Sequence, residues 1–199
     1  MGKVFLIILI SYFIGNFSSA YILGTVIKDK DIRKYGSGNA GATNALRVFG
    51  PKIGLTAFGL DILKGIIAVS IGNHFLGYNG ALIAAIFVVI GHDWPVFLKF
   101  KGGKGIATSL GVILYLHLPT ALICMAIGFF VIYKTKYVSL GSMIATILVP
   151  IVGSILNRPF NSRFLICTLI LAGMAIFRHR SNIKRLKNGE ESKFGQRVN

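Results

Sequence analysis

Long apolar segments constrain this chain more than any other feature of its sequence. A helix that crosses the hydrocarbon core of a membrane needs about 20 mostly apolar residues, and residues 4–27 contain no charged side chain. Further mostly apolar segments cover residues 53–72, 79–98, 105–133, 138–156 and 161–178. Charged residues make up 14% of the chain, against roughly 25% in an ordinary soluble domain. The sequence therefore predicts an all-α, polytopic membrane helix bundle.

The segment 105–133 is too long for a single crossing. A helix of its 29 residues would measure about 43 Å, which exceeds a hydrocarbon core of about 30 Å. His117-Leu118-Pro119 lies near its middle and could turn the chain. We therefore expect two short spans, 105–118 and 119–133. They bring the total to seven transmembrane helices in a single membrane domain that covers residues 1–199.

The distribution of cations supports this count and orients the chain. Of the 22 lysines and arginines, 18 then fall on one side of the membrane, from Lys28 to Arg197 along the sequence. Lys3, Arg158 and Arg163 fall on the other side, whereas a single span at 105–133 would divide the cations almost evenly. Because cations accumulate in cytoplasmic loops, we predict an N-terminus outside and a C-terminus in the cytoplasm.

Small and polar residues fill the first long loop on the predicted cytoplasmic side, segment 35–47. Its alternating glycines allow sharp turns that present successive N–H groups to an anion. Ser37, Asn39, Thr43 and Asn44 add neutral donors, and Arg47 adds a guanidinium suited to phosphate. A formal Gly-x-Gly-x-x-Gly occurs here, but no strand precedes it, which argues against a dinucleotide site. A re-entrant turn without a ligand remains the alternative.

Two further segments on the same side combine cations with glycines or with polar side chains. In segment 99–108, glycines lead into a helix whose N-terminal amides attract anions beside Lys104; membrane anchoring alone would explain Lys99 and Lys101. In segment 178–191, His179 and Asn182 share one face of a helix. A basic surface helix on anionic lipid is the alternative for this last segment.

The remaining ionisable side chains lie inside spans or are too scattered for a second kind of chemistry. Asp61 and Lys64, three residues apart, are interpreted as a structural intrahelical pair, and His92 and Asp93 as structural as well. The six carboxylates are too few for an acid/base pair or a magnesium cage. No Cys/His spacing fits a metal, so we predict neither a metal nor a cofactor.

The three polar segments, in this order, resemble the motifs of a known family. The residues that carry the resemblance are 36–44 with Arg47, Gly91-His92 with 100–105, and 179–189 with Glu191. They are similar to the three motifs of the bacterial acyl-phosphate-dependent glycerol-3-phosphate acyltransferase family. The resemblance covers essentially the whole chain, including residues 61–65 and 139–142. Lys99 is a departure, since the family leads one to expect a small residue there.

The resemblance implies a reaction and a location. A fatty acyl group would pass from acyl phosphate to the sn-1 hydroxyl of glycerol 3-phosphate, giving lysophosphatidic acid and phosphate, the first step of bacterial phospholipid synthesis. The protein would be a multi-pass protein of the bacterial cytoplasmic (inner) membrane, with its active site facing the cytoplasm. Its partners would be the two substrates and the lipid bilayer, without nucleic acid, and it would act as a monomer. The alternative is a transporter of an anionic phosphate solute, although no internal repeat is visible.

Site residues follow from the resemblance together with the phosphate chemistry. We expect acyl phosphate to be bound by Ser37, Asn39, Gly41, Ala42 and Thr43. We expect glycerol 3-phosphate to be bound by Arg47, Lys104, Ser142, His179 and Asn182. The catalytic set would be Ser37, Arg47, Lys104, His179 and Asn182. Loop-shaping roles are expected for Gly38, Gly102, Gly103 and Gly105, and structural roles for Asp61, Lys64 and Glu191. Either His179 or a substrate phosphate oxygen would accept the proton.

Overall fold

The computed structural model describes residues 1–196, so Arg197 lies outside the described residues. Over that range the chain is helical, without strands, as predicted. The helices are α1 (Gly2–Asn16), α2 (Ser19–Lys28), α3 (Ala42–Phe49), α4 (Pro51–Asp93), α5 (Ile106–Leu116), α6 (Leu118–Thr135), α7 (Val138–Leu156), α8 (Ser162–Arg178) and α9 (Arg180–Lys187). Helix α4 packs on α1, α3 and α5, and α7 packs between α6 and α8.

Several helices have the length and apolarity that a membrane crossing requires. Four segments of residues 1–196 do so individually: Gly2–Lys28, Pro51–Leu98, Leu118–Thr135 and Val138–Leu156. A fifth results if α8 and α9, bent by 56° relative to each other, are taken together. Helix α5 is apolar but shorter. The count of seven crossings and the orientation of the termini stay predictions.

Helix α4 consists of two limbs that fold back on each other. Leu76 (φ −141°) and Gly77 (φ 56°) leave the helical conformation and reverse the chain. The limbs then touch through small residues: a Cβ on Gly72 would lie 2.7 Å from Ala84 Cβ. The α-helix of the second limb ends at Asp93, and the apolar candidate span that includes it continues to Leu98, where the predicted span ends. The chain leaves the helix just before Pro95, because a residue that precedes proline disfavours the helical conformation.

The predicted first span, 4–27, is not a continuous helix. Helix α1 ends at Asn16, and Phe17 adopts an extended conformation (φ −66°, ψ 96°) before α2 begins. The break leaves carbonyls without their usual helical partners, and Lys64 Nζ donates to two of them, Gly15 O at 3.1 Å and Phe17 O at 2.6 Å. The predicted span itself is retained, since Gly2–Lys28 has the length and apolarity of a single crossing. The break within it was not foreseen, because the absence of charge between residues 4 and 27 does not reveal a break stabilised from another helix.

The same lysine belongs to a buried ionic cluster formed by Asp61, Lys64 and His92. Lys64 Nζ lies 2.9 Å from Asp61 Oδ1, so the expected intrahelical pair forms, and it lies 2.7 Å from His92 Nδ1. Ser19 Oγ donates to Asp61 Oδ1 at 2.8 Å. The exposed fractions of these three ionisable residues do not exceed 5%. The cluster therefore ties α2 and both limbs of α4 together.

Apolar side chains are distributed as expected for a bundle surrounded by lipid. The main core lies between the two limbs of α4, α5 and α8 and contains the fully buried Val69, Val88 and Val112. Large apolar side chains also cover the outer surface, for example Phe5 (64% exposed), Leu55 (64%) and Ile166 (58%). Apolar patches of this extent are unusual on a soluble monomer. Hydrocarbon is the solvent that suits this surface.

Candidate functional site

One cavity of about 210 Å³ brings together every side chain that we expected to bind a substrate. Those residues are Ser37, Asn39, Gly41, Ala42, Thr43, Arg47, Lys104, Ser142, His179 and Asn182. With Glu191 they form what we call the polar end of the cavity. What we call the apolar end lies further along α5–α8 and is lined by Ile113, Ala121, Cys124, Val149, Thr168 and Leu171. The site thus joins a charged chamber to an apolar one.

The first loop is folded around the buried side chain of Asn44. Its Nδ2 donates to Ile32 O (3.2 Å), Tyr35 O (3.0 Å) and Asn39 O (3.0 Å). Its Oδ1 accepts from the Ser37 N–H at 2.9 Å. One amide side chain thus holds together the loop that leads into α3. Ala42 and Thr43, the first residues of α3, line the cavity, and the N–H groups at a helix N-terminus attract anions. Asn44, which we expected to be one of the loop's neutral donors, lines the cavity and also holds the loop together.

The second loop is the part of segment 99–108 that precedes α5, and its conformation requires glycines because it approaches the second limb of α4. The Gly103 N–H donates to His92 O at 3.0 Å, and a Cβ on Gly103 would collide with the His92 ring. Gly105, at φ +71°, adopts the left-handed conformation at the start of α5. Asn39 Nδ2 donates to Gly102 O at 3.1 Å, which joins this loop to the first one. These contacts fix the backbone on both sides of Lys104, the last loop residue before Gly105 and α5.

Arg178 is a further contributor that sequence reasoning missed. Its Nε and NH2 donate to Gly103 O at 3.0 and 2.7 Å, and its guanidinium stacks 5.3 Å from the ring centroid of Trp94. Arg180, two residues later, is exposed and stacks on Phe177 instead. The sequence places Arg180 inside the segment 179–189 that resembles the third family motif and Arg178 just before it, and it does not reveal which of the two reaches the second loop. Only the packing of α8 against the second loop does so.

A chain of hydrogen bonds orients the amide of Asn182. Asn182 Oδ1 accepts from Lys104 Nζ, and its Nδ2 donates to Glu191 Oε1 at 2.8 Å. Glu191 also accepts from Ser139 Oγ (2.8 Å) and from Arg185 Nε (2.7 Å). Burial alone would raise the pKa of Glu191, but these three hydrogen bonds outweigh burial and hold that pKa below its usual value. Glu191 is therefore a carboxylate anion that positions its neighbours.

His179 is a neutral imidazole whose free nitrogen can accept a hydrogen bond. Its Nδ1 lies 2.7 Å from Ala175 O, and since a carbonyl only accepts, Nδ1 carries the proton and Nε2 does not. Burial, followed by the nearby charge of Lys104, lowers the pKa of His179 to about 4. At neutral pH the ring is therefore suited to orienting a hydroxyl group.

Positive charge is in surplus at the polar end. Burial lowers the pKa of Lys104 to about 8, helped by repulsion from Arg185, Arg47 and Arg178. Burial also lowers the pKa of Arg47, whose NH2 donates to Ser192 O at 3.2 Å and lies 3.9 Å from Glu191 Oε1. A cluster of cations that depress each other's pKa favours the binding of an anion.

Other candidate groups stand apart from this chemistry. Lys99 and Lys101 are exposed and do not line the cavity. Cys124 and Cys167 are free and buried, as small apolar side chains would be. Among residues 1–196, no group of three His, Cys, Asp or Glu side chains is arranged so that it could hold a metal ion.

Comparison with known proteins identifies the family. A family model described as glycerol-3-phosphate acyltransferase matches residues 5–189. The glycerol-3-phosphate acyltransferase of Thermoanaerobacter pseudethanolicus is 54% identical over 190 residues, which cover 96% of this chain and 95% of the relative. That of Finegoldia magna is 46% identical over 199 residues, with coverages of 98% and 100%.

A solved structure extends this similarity to the fold. The crystal structure of PlsY (YgiH), an integral membrane glycerol 3-phosphate acyltransferase, matches in its glycerol 3-phosphate form with a TM-score of 0.91 at 34% identity, over 96% of both chains. Its lysophosphatidic acid form matches with a TM-score of 0.88, over 96% of this chain and 95% of that one. The predicted membrane helix bundle is thereby confirmed, and the chain belongs to the glycerol-3-phosphate acyltransferase family.

Proposed function

We propose that the protein transfers a fatty acyl group from acyl phosphate to the sn-1 hydroxyl of glycerol 3-phosphate, releasing lysophosphatidic acid and inorganic phosphate. The observation that carries this proposal is the continuity of the cavity. Its polar end offers surplus positive charge to phosphate groups, and its apolar end offers a compartment to an alkyl chain. The relatives' shared description as glycerol-3-phosphate acyltransferases supports the same acceptor.

The donor phosphate is assigned to the first loop. Ser37 and Thr43 contribute hydroxyl groups, Asn39 an amide, and Gly41 and Ala42 the backbone around the N-terminus of α3. This loop suits a bare phosphate, because the phosphate can approach the helix N-terminus directly. No pantetheine- or adenine-sized compartment is needed for such a donor. Acyl-CoA and acyl carrier protein are therefore not expected to serve directly.

The acceptor is assigned to the facing wall of the polar end. Arg47 and Lys104 would bind the phosphate group of glycerol 3-phosphate, while Ser142 and Asn182 would hydrogen-bond the rest of the molecule. His179 Nε2 would accept the hydrogen bond of the attacking hydroxyl. This arrangement would place the hydroxyl oxygen beside the carbonyl carbon of the donor.

The reaction needs positioning more than a strong base. The hydroxyl oxygen bonds to the carbonyl carbon, the bond from that carbon to the phosphate oxygen breaks, and phosphate leaves. Acyl phosphate is a mixed anhydride with a good leaving group, so orientation and stabilisation of negative charge carry the catalysis. A phosphate monoester has a second pKa of about 6, whereas that of His179 is about 4. The cations of the polar end lower the pKa of a bound phosphate as well, so either His179 Nε2 or a substrate phosphate oxygen would take the proton.

We extend the proposal to topology. If α1–α2 counts as one crossing, each limb of α4 as one, and α5, α6, α7 and α8 as one each, the chain crosses seven times within a bacterial inner membrane. The N-terminus would be outside, and the polar end and the C-terminus would face the cytoplasm. Cysteines placed at Ser37, Lys101 and Asn188 should resist a membrane-impermeant thiol reagent added to intact cells. Labelling of all three from outside would contradict the orientation.

Transfer from labelled acyl phosphate, measured on detergent-purified protein, tests the activity. We expect labelled lysophosphatidic acid to form with acyl phosphate and glycerol 3-phosphate, in the presence of chelators and without cofactors. The protein is proposed to act as a monomer. Comparable turnover with acyl-CoA, in a preparation free of acyl phosphate, would refute the assignment of the donor.

A further inference from the structure

The apolar end of the cavity has a definite depth. Along α8 its lining extends from His179 at the polar end to Thr168. At a rise of 1.5 Å per residue, this stretch of helix measures about 16 Å. A hydrocarbon core is about 30 Å thick and contains two leaflets. The cavity is therefore about as deep as a single leaflet of acyl chains.

The far end of this compartment is closed. Ala121 and Thr168, on α6 and α8, are each 1% exposed. One turn beyond Thr168, the buried ring of Phe164 packs on the ring of His117 with a centroid distance of 6.0 Å. The same ring fills the space above Gly153 on α7, where a Cβ would collide with it. The rings of Phe164 and His117, together with the backbone of α7 at Gly153, thus form a floor beneath Ala121 and Thr168.

The side of the compartment differs from its floor. Phe129, which lines the cavity from α6, is 54% exposed. Cys124 and Leu171, deeper in the same compartment, are 2% and 3% exposed. The cavity is therefore bordered by outer surface near its middle and enclosed by protein at depth. An alkyl chain can enter past Phe129, but its terminal methyl group meets protein rather than lipid.

We propose that Ala121 and Thr168 determine the longest acyl chain that the protein transfers efficiently. The inference rests on the proposed function, since it assumes that the acyl chain of the donor occupies the apolar end. The reacting carbonyl is held at the polar end and the floor lies a leaflet's depth away, so the distance between them limits the number of methylene groups that fit. Both residues act on specificity and not on the chemical step.

Two substitutions of opposite sense test this role. Ala121→Leu fills the space just above the floor. As a result, kcat/KM should fall for long-chain acyl phosphates and stay near its original value for dodecanoyl phosphate. Each excluded methylene should lower kcat/KM about fourfold, because burial of one CH₂ contributes about 0.8 kcal/mol. Thr168→Ala enlarges the space above the floor and should shift the preference toward longer acyl chains. Ala126→Leu makes the same replacement on an exposed position of α6 outside the cavity and is the matched control.

The measurement is kcat/KM for dodecanoyl, tetradecanoyl, hexadecanoyl and octadecanoyl phosphate with purified protein. Opposite shifts in chain-length preference, with Ala126→Leu unchanged, would support the inference. An equal loss for all four donors in Ala121→Leu together with an unchanged profile in Thr168→Ala would overturn it. If the unaltered protein used none of the four donors, the proposed function itself would fail, which is a different result from an unshifted profile.

Discussion

Two groups of charged side chains lie in the interior of this protein, and they differ in how their charge is balanced. In the buried ionic cluster, Lys64 Nζ contacts Asp61, His92 and two backbone carbonyls. At the polar end, Lys104 and Arg47 share the neighbourhood of Glu191, which is already occupied by hydrogen bonds from Ser139, Asn182 and Arg185. In the first group the ammonium of Lys64 is paired with the carboxylate of Asp61, whereas the second group retains unneutralised positive charge.

This difference separates a structural role from a binding role. A buried ion pair with all its hydrogen bonds made gains nothing from a further anion, and its disruption leaves an uncompensated charge. A set of cations that repel one another gains when an anion binds between them. Substitutions in the buried ionic cluster should therefore affect stability, whereas substitutions at the polar end should affect the kinetics of glycerol 3-phosphate.

The largest effect is expected for Lys64→Ala. Removal of the ammonium leaves Asp61 buried without its ion-pair partner and the carbonyls of Gly15 and Phe17 without a donor. Loss of one partner of a buried pair destabilises a protein by about 3–5 kcal/mol. Unfolding of the detergent-solubilised protein, followed by circular dichroism, measures the change. Lys52→Ala removes an exposed lysine from the same helix and should have little effect.

If Lys64→Ala unfolded at the same temperature as the unaltered protein, the cluster would not carry the stability assigned to it. Lys104→Ala provides a second reference in the same assay. Removal of the Lys104 ammonium relieves its repulsion with Arg185, Arg47 and Arg178. We therefore expect a smaller loss of stability than for Lys64→Ala. Equal losses for both lysines would abolish the distinction between the two groups.

Lys104→Ala should produce the largest kinetic effect at the polar end. Loss of a charge-assisted contact with phosphate costs about 1.5–3 kcal/mol, which lowers kcat/KM for glycerol 3-phosphate roughly 10- to 150-fold. Lys101→Ala is the matched control, because Lys101 is exposed three residues away and does not line the cavity. Initial rates with both substrates varied provide the measurement. Equal losses for the two variants would mean that this loop only anchors the protein to the membrane.

Arg47→Lys tests whether geometry matters in addition to charge. A guanidinium can bind phosphate with two parallel hydrogen bonds, which an ammonium cannot reproduce. We expect about a tenfold fall in kcat/KM for glycerol 3-phosphate, equivalent to about 1.4 kcal/mol, with an increase in KM. Arg180→Lys replaces an exposed arginine and should be neutral. A fully active Arg47→Lys would reduce the role of Arg47 to that of a point charge.

The same two groups show what sequence can and cannot predict. Most side chains of the polar end were identifiable because glycines, amides and cations recur together in three segments, whereas Ser142 and Glu191 came from the family resemblance alone; the structure places all of them around one cavity. The Asp61–Lys64 pair was identifiable from its helical spacing. Both depend on local patterns, which a sequence displays directly.

Contacts between distant segments were not accessible in this way. The break between α1 and α2 is stabilised by Lys64, from a different helix. Arg178 and Arg180 lie two residues apart, yet only Arg178 reaches the second loop. Such roles depend on which faces of two helices meet, and a single sequence contains no direct signal for that.

The smallest expected effect is a pH dependence that Lys104 imposes on glycerol 3-phosphate. Its pKa of about 8 results from burial and from cations on three elements, Arg185 on α9, Arg47 on α3 and Arg178 on α8, opposed by Glu191. The Lys104 side chain is therefore a charged ammonium at pH 7, and it loses its proton and its charge as the pH rises through 8. Because kcat/KM reports the free enzyme, it should be roughly fourfold lower at pH 8.5 than at pH 7.

The substrate's phosphate does not explain such a fall, because its second pKa is about 6 and it is already a dianion above pH 7. Lys104→Arg provides the decisive comparison. A guanidinium stays charged across this range, so the variant should lose the alkaline decrease even if its activity at pH 7 is lower. Should Lys104→Arg show the same decrease as the unaltered protein, the titrating group would have to be another one, and the surplus charge at the polar end would not depend on the protonation of Lys104.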